Sequence, residues 1–118
     1  MYGLPPDIDV SFLVHREVEQ VCIGLHQVQI HFDDNVSISI EGRFKYTDRT
    51  GRVFEWQGRP SQAAGIVDSL GLVVSAVTPE PDGTLTLVFS DVAKLTIFDD
   101  DKQYEAYQIS KPGMTIVV

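Results

Sequence analysis

Two stretches of the chain alternate hydrophobic and polar residues with a period of two, and they match each other position by position. The first stretch covers residues 28–40 and the second covers 85–97, at an offset of 57 positions. Each is interrupted by an aspartate, Asp34 or Asp91, that suits a tight turn. Because a period of two is typical of a strand with one buried face, each stretch predicts a two-stranded hairpin.

The similarity between the two halves extends towards the N-terminus at an offset of 56, where Val14 aligns with Leu70. The sequence therefore predicts two pseudo-repeats, at about 7–42 and 62–99, each made of a helical turn followed by three strands. The helical part is clearer in the second unit, which predicts one short helix near 61–70. The apolar residues at helical spacing there are Ala63, Ile66, Val67 and Leu70.

The region between the two units differs from both. Hydrophobic residues continue at even positions across Gly42, which favours one long strand bent at the glycine. A turn at 48–51 then predicts an inserted hairpin at 43–58, and no clear counterpart of this hairpin follows the second unit. Two further strands are predicted near the C-terminus, at 104–109 and 114–118.

These elements predict a mainly β fold, α+β by strict count, in a single domain that covers residues 1–118. A chain of 118 residues and 13.1 kDa is of common size for one domain. Eight or nine successive strands favour a curved antiparallel sheet, either a roll or a partly closed barrel. An unrelated β-sandwich is the alternative, because strand order cannot be read from the pattern alone.

The chain is acidic, with a formal net charge of −8 and a pI near 4.6. This charge opposes binding to nucleic acid or to anionic lipid, and it attracts a basic protein partner instead. Solubility is the alternative reason for the same charge. The apolar runs are too short to span a bilayer and the N-terminus lacks the features of a secretory signal, so the expected location is the cytoplasm.

The residues with reactive or metal-binding side chains form no recognised motif. The histidines His15, His26 and His31 lack the close spacing that presents two imidazoles to one ion, so no metal site is predicted. Cys22 and His31 lie on consecutive predicted strands and could face each other, but no third orienting group is evident. Phosphate-binding loops and nucleophile elbows are absent from the sequence. The sequence therefore predicts neither catalytic residues nor a cofactor.

The inserted hairpin carries the clearest candidate binding surface. Five of the nine basic residues lie in it or directly after it, against only Asp48 and Glu55. Aromatic side chains at even positions accompany them, and arginine together with aromatic residues is the composition of an interaction hot spot. In the alternative interpretation the aromatics complete the core and the basic side chains are solvated. The candidate partner-binding residues are Arg43, Lys45, Tyr46, Arg49, Arg52, Trp56 and Arg59.

Strand and turn patterns shared with known proteins occur in four segments, which are Met1 to Asp7, Glu19 to Cys22, Val28 to Asp34 and Tyr104 to Ile109. In these segments the chain resembles an uncharacterised bacterial family of small single-domain proteins, a domain of unknown function. The resemblance covers residues 1 to about 110 and implies no catalytic residues, so 114–118 is expected to be an addition to the family pattern. The last of the four segments is also similar to segments of small immunity proteins that neutralise bacterial toxins.

These observations lead to three hypotheses for function. The first is a noncatalytic binding protein, of immunity type, whose acidic surface recognises a basic protein partner such as a nuclease toxin. The second is a small-molecule-binding protein or enzyme with a pocket in the curved sheet, whose wall or rim residues are His31, Tyr46 and Trp56. The third is a homodimer joined through an exposed strand edge at 115–118.

Overall fold

The computed structural model describes residues 3–4, 7–57, 59–100 and 105–118, and for Pro60 and Ser61 it describes the backbone only. Within these residues the alternating pattern folds into ten strands. Short 3₁₀ turns at Ser11–Leu13 and Asp33–Asn35 and a longer 3₁₀ helix at Pro60–Ser69 complete the regular structure of these residues. The strands are β1 (Val18–Ile23), β2 (Val28–Phe32), β3 (Ser37–Ile40), β4 (Phe44–Thr47), β5 (Val53–Trp56), β6 (Val74–Pro79), β7 (Leu85–Phe89), β8 (Lys94–Ile97), β9 (Tyr107–Lys111) and β10 (Met114–Val117).

The strands form two antiparallel five-stranded sheets that share one hydrophobic core, so the mainly β prediction is confirmed. The first sheet has the order β1-β2-β3-β9-β10, and the second has the order β5-β4-β8-β7-β6. Alternate side chains along each inner strand are buried, which is the one-faced burial that the period of two predicted. The largest fully buried side chains are Trp56, Tyr46, Tyr107, Phe44 and Phe89.

The expected roll or partly closed barrel is wrong, because the chain leaves one sheet and enters the other at Gly42. β3 ends at Ile40 and pairs with β9, whereas β4 begins at Phe44 and pairs with β8. Between these strands the N–H groups of Glu41 and Gly42 both donate to the carbonyl oxygen of Ala106, each at 2.9 Å. The predicted long strand is therefore two strands in different sheets, and the arrangement corresponds to the sandwich alternative.

The hairpins β4–β5 and β9–β10 occupy corresponding places in the two sheets. β4 lies beside β8 in the second sheet, and β9 lies beside β3 in the first. Each sheet is therefore made of three strands from one half of the chain and a hairpin from the other half. The inserted hairpin thus has a counterpart in position, which the sequence comparison missed because the two hairpins are not separated by the offset that relates the other strands.

The two halves of the chain share backbone features at positions that the offsets of 57 and 56 relate. The N–H group of Phe32 donates to the carbonyl oxygen of Val36, and that of Phe89 donates to the carbonyl oxygen of Ala93, both at 2.8 Å. The pairing also shifts register near the start of β1 and near the start of β6. The descent of the two halves from one duplicated unit stays a prediction.

The helix predicted near 61–70 is present, but as a 3₁₀ helix rather than an α-helix. A 3₁₀ helix has three residues per turn, so its buried stripe recurs at every third residue instead of following the α-helical period that the sequence pattern assumed. The buried positions of the helix are Ala63, Ile66 and Ser69, whereas Val67 and Leu70 are each 45% exposed.

No helix of the described residues, this one included, is long and apolar enough to cross a membrane.

The turn between β7 and β8 holds a β-branched residue in an unfavourable backbone conformation. Val92 has φ = 69° and is 73% exposed, so no buried contact of its side chain offsets the strain. The offset of 57 relates it to Asn35, which has φ = 59° and belongs to a residue type that tolerates this region. We expect Val92→Asn to raise the free energy of unfolding by about 1 kcal/mol in urea denaturation.

The reciprocal substitution provides the control for Val92. Asn35→Val places the same strained residue in the matching turn of the first sheet, and it is expected to lower the free energy of unfolding by about 1 kcal/mol. A Val92→Asn variant that is no more stable than the parent chain would show that the left-handed conformation at residue 92 carries no strain.

Candidate functional site

The outer face of the first sheet is polar and almost uncharged. Side chains alternate along each strand, so the residues between the buried positions of β2, β3 and β9 point away from the core. The strand register aligns these outward residues into two rows that cross all five strands. One row consists of Gln20, His31, Ser37, Ser110 and Thr115, and the other consists of Cys22, Gln29, Ser39, Gln108 and Val117.

The middle of this face contains a groove of about 340 Å³, which we call the polar groove. Its floor is formed by the outward residues of β2, β3 and β9, and Glu41 lies at the end of β3. Among the described residues that line it, none is lysine or arginine. The lining residues are Gln27, Gln29, His31, Ser37, Ile38, Ser39, Glu41, Gln108 and Ser110.

Hydrogen bonds orient the glutamine side chains of the polar groove. Ser39 Oγ donates to Gln27 Oε1 at 3.0 Å. His31 Nε2 lies 3.2 Å from Gln29 Oε1. A glutamine amide carries two donors and an acceptor with two lone pairs, so one such bond leaves further hydrogen-bonding capacity on each side chain. The groove can therefore offer both donors and acceptors to a ligand.

Two glutamates are associated with the polar groove, one in its lining and one hydrogen-bonded to a lining residue. Glu41 lines the groove, and its backbone N–H donates to the carbonyl oxygen of Ala106, the residue after Glu105. Glu105 Oε2 in turn accepts a hydrogen bond of 3.1 Å from Gln108 Nε2, and Gln108 lines the groove. Both glutamates are exposed. This end of the groove is therefore negatively charged, while its floor is neutral.

The sequence-predicted partner-binding residues do not form one exposed surface. Tyr46 and Trp56 are only 0% and 1% exposed, so their rings belong to the core of the second sheet, as the alternative interpretation held. Arg49 and Arg59 are exposed, but one lies in the β4–β5 turn and the other precedes the 3₁₀ helix. Lys45 points outward on β4, opposite Glu55 of β5. A role of these residues in partner binding stays a prediction.

The remaining basic side chains of the predicted surface are engaged within the chain. The Arg43 guanidinium donates to Asp100 at 2.9 Å and to Glu55 at 3.2 Å, and it stacks on the Phe98 ring at 3.7 Å. The Arg52 guanidinium lies 4.8 Å from the centre of the Phe54 ring. These contacts neutralise or cover part of the positive charge that the sequence placed at this hairpin.

The sequence-predicted pocket residues also lie apart. His31 lines the polar groove on the first sheet, whereas Tyr46 and Trp56 are buried in the second sheet. Cys22 and His31 are both on the outer face of the first sheet, but the register pairs Cys22 with Gln29 and His31 with Gln20. They are therefore diagonal neighbours rather than a facing pair. The described residues contain no group of three metal-ligating side chains that could hold an ion.

The candidate dimerisation strand lies at an edge of the first sheet. β10 pairs with β9 on one side only, and Val117 is 43% exposed. The following residue is fixed, because the backbone of Val118 exchanges hydrogen bonds with Tyr107. An edge strand of this kind can pair with another chain, so a homodimer stays a prediction.

Two buried tyrosines have perturbed acidity. Tyr46 donates to Asp68 Oδ2 at 3.1 Å, and burial together with this carboxylate raises the pKa of Tyr46 well above its ordinary value. Tyr107 donates to the carbonyl oxygen of Gly83 at 2.6 Å. Burial, together with the charges of nearby aspartates, raises the pKa of Tyr107 in the same direction. Both hydroxyls therefore act as hydrogen-bond donors, not as bases, and they join the 3₁₀ helix and the β6–β7 turn to the core.

These two pKa shifts predict a loss of stability in alkali. An unfolded tyrosine ionises near pH 10 while the folded residue keeps its proton, so the free energy of unfolding should fall as the pH rises above about 10. The slope for each tyrosine is about 1.4 kcal/mol per pH unit. Tyr46→Phe and Tyr107→Phe should each make the decline between pH 10 and 12 less steep, as measured by urea denaturation. Parallel pH curves for the parent chain and both variants would contradict this prediction.

Comparisons with known proteins identify a family but not an activity. A family model described as "Family of unknown function (DUF6188)" matches residues 10–118. Neither the curated proteins nor the solved structures contain a match to the chain. The family model reaches Val118, so the expectation that 114–118 is an addition to the family pattern is wrong; β10 completes the first sheet. Because the model covers nearly the whole sequence, the chain belongs to this family of unknown function.

Proposed function

We propose that this chain is a noncatalytic binding protein that recognises a basic protein partner. The observation that carries the proposal is the polar groove, whose floor is neutral, whose end holds Glu41, and whose lining residue Gln108 is hydrogen-bonded to Glu105. The chain around it has a formal net charge of −8. A basic partner is therefore attracted at long range by the whole molecule and at short range by this end of the groove.

Charge complementarity has a measurable consequence for this function. Attraction between opposite net charges speeds association and is screened by salt, with a Debye length of about 10 Å at 0.1 M ionic strength. One partner of the proposed kind is a basic toxin, which the chain would bind as an immunity protein does. The proposal also places this binding in the cytoplasm of a bacterial cell. The proposal includes no chemical reaction of the partner, because the polar side chains of the groove can bind it through hydrogen bonds alone.

The test is capture of the partner by the full-length chain followed by measurement of its salt dependence. The immobilised chain is exposed to lysate of its source cell at low ionic strength, and retained proteins are identified by mass spectrometry. We expect one basic protein to be enriched, with a dissociation constant that rises at least about tenfold between 50 and 500 mM salt.

An unrelated acidic protein of similar size and net charge is the matched control in this capture. It reports nonspecific retention of basic proteins, which net charge alone produces. Retention of the same basic proteins by both baits, or of no basic protein by the chain, would contradict the proposed function.

Small-molecule binding in the same groove is the second candidate function. The observation that favours it is the volume of about 340 Å³, at the lower end of the range for small-ligand sites, together with the imidazole of His31 in the lining. A neutral polar compound that raises the melting temperature at low concentration, and does so less with His31→Ala, would favour this function over protein recognition.

A further inference from the structure

We infer that the polar groove is a socket for a single arginine side chain of the partner, an inference that rests on the proposed function. The charged groups of the groove set the direction of the ligand. Glu41 lies at one end of the lining, and Glu105 accepts a hydrogen bond from Gln108 of the same lining. His31 lies at the other end of the floor, opposite Ser37 of β3. A cation whose several donors reach both the Glu41 carboxylate and the neutral acceptors of the floor matches this distribution.

The shape of the floor favours guanidinium over ammonium. The floor is a sheet surface whose neighbouring strands are about 4.8 Å apart, so side-chain acceptors from several strands are spread over one face. A guanidinium is flat and carries five donors in a fixed plane, whereas an ammonium is a compact, strongly hydrated point charge. Several acceptors spread over a flat surface, with carboxylates at one side, therefore complement arginine better than lysine. Gln29, Ser39 and Gln108 lie in one cross-strand row of this floor.

The outer face of the second sheet provides a comparison within the same molecule. Its strands follow the same order, yet Lys94 stands at the position that corresponds to Ser37, and Phe98 at the position that corresponds to Glu41. Lys45 is opposite Thr96 there, as Gln108 is opposite Ser39 in the first sheet. The second face therefore carries two cations where the first carries neutral groups, so attraction of an arginine is a property of the polar groove and not of every outward face.

The test is a ¹⁵N NMR titration of the full-length chain with N-acetyl-arginine methylamide. The neutral, equally shaped N-acetyl-citrulline methylamide and the lysine analogue are titrated in parallel. We expect saturable shifts of the backbone amides of Gln29, Ser39 and Gln108 with the arginine compound, and at least tenfold weaker binding of the other two. Equal binding of citrulline, or of lysine, would overturn the assignment of the groove to arginine.

Two pairs of variants locate the contact. Ser39→Lys introduces a positive charge on the groove floor, and Thr96→Lys introduces the same charge at the corresponding place on the second sheet. Glu41→Gln removes a carboxylate from the groove, and Glu80→Gln removes one from the β6–β7 turn. We expect the groove variants to weaken binding of the arginine compound at least fivefold, and the two control variants to leave it within twofold of the parent value.

The outcomes separate this inference from the proposed function. A captured basic partner that binds Ser39→Lys and Glu41→Gln as tightly as the parent chain would overturn the arginine socket and leave the proposed function standing. Absence of any basic partner would remove the proposed function itself. Parallel loss of partner binding and of arginine binding in the groove variants alone would support both.

Discussion

Replacing Trp56 by alanine is expected to lower the free energy of unfolding by about 4 kcal/mol, the largest effect of any single substitution considered for this chain. Trp56 is 1% exposed, and its ring stacks on Phe44 with centroids 5.5 Å apart. Removing the indole leaves a cavity in the core beside the Phe44 ring, and the walls of this cavity can relax only partly. Chemical denaturation followed by circular dichroism measures the loss.

Trp56→Phe is the matched control for this prediction. The indole Nε1 has no hydrogen-bond partner among the described residues, so phenylalanine removes volume without breaking a bond. The loss should therefore be less than about half of that in Trp56→Ala. A Trp56→Ala chain of unchanged stability that no longer binds its partner would instead identify Trp56 as the interaction hot spot that its sequence context suggested.

Replacing Gly65 by alanine is expected to lower the free energy of unfolding by about 2 to 3 kcal/mol, although glycine to alanine in a helix usually raises it by about 1 kcal/mol. The physical reason is close packing. A Cβ atom at residue 65 would overlap the Cγ, Cδ1 and Cδ2 atoms of Phe54, which lies on β5. The ring or the helix must shift to make room.

A double-mutant cycle with Phe54 tests the cause of this effect. In a Phe54→Ala background the overlap is gone, so Gly65→Ala should be neutral or stabilising, with a coupling energy of more than about 1.5 kcal/mol. Ala64→Gly, at the exposed neighbouring position, is the control for ordinary helix propensity and should cost about 1 kcal/mol or less. A destabilising Gly65→Ala that persists in the Phe54→Ala background would rule out ring overlap as the reason.

The strands could be predicted from the sequence wherever one face is buried. In 28–40 and 85–97 the alternation follows directly from burial, and β2, β3, β7 and β8 lie within these stretches. The crossing between sheets could not be predicted, because Gly42 interrupts the pairing without interrupting the alternation. What ends β3 there is the carbonyl of Ala106, a residue 64 positions later in the chain. Hydrogen bonds over such distances leave no local pattern.

The candidate site was harder to predict than the fold. Sequence reasoning gave weight to Tyr46 and Trp56 because aromatic residues accompany arginine at binding surfaces, yet the same even spacing also marks a buried face. The polar groove had a weaker signal: the odd positions of β2 and β3 are glutamine, histidine and serine, with no lysine, arginine, aspartate or glutamate among them. Only the strand register brings Gln108 and Ser110 of β9 beside them.

The exchange of hairpins between the sheets has a consequence for folding of the chain during its synthesis on the ribosome. β3 is covered by β9, so its edge stays open until residues 107–111 have been synthesised. At roughly 5–20 residues per second this takes several seconds, during which an unpaired strand can capture another nascent chain. The first sheet is completed only by β9 and β10, which are translated after all five strands of the second sheet. The vulnerable period of each new molecule is therefore set by the speed of synthesis rather than by the speed of strand pairing.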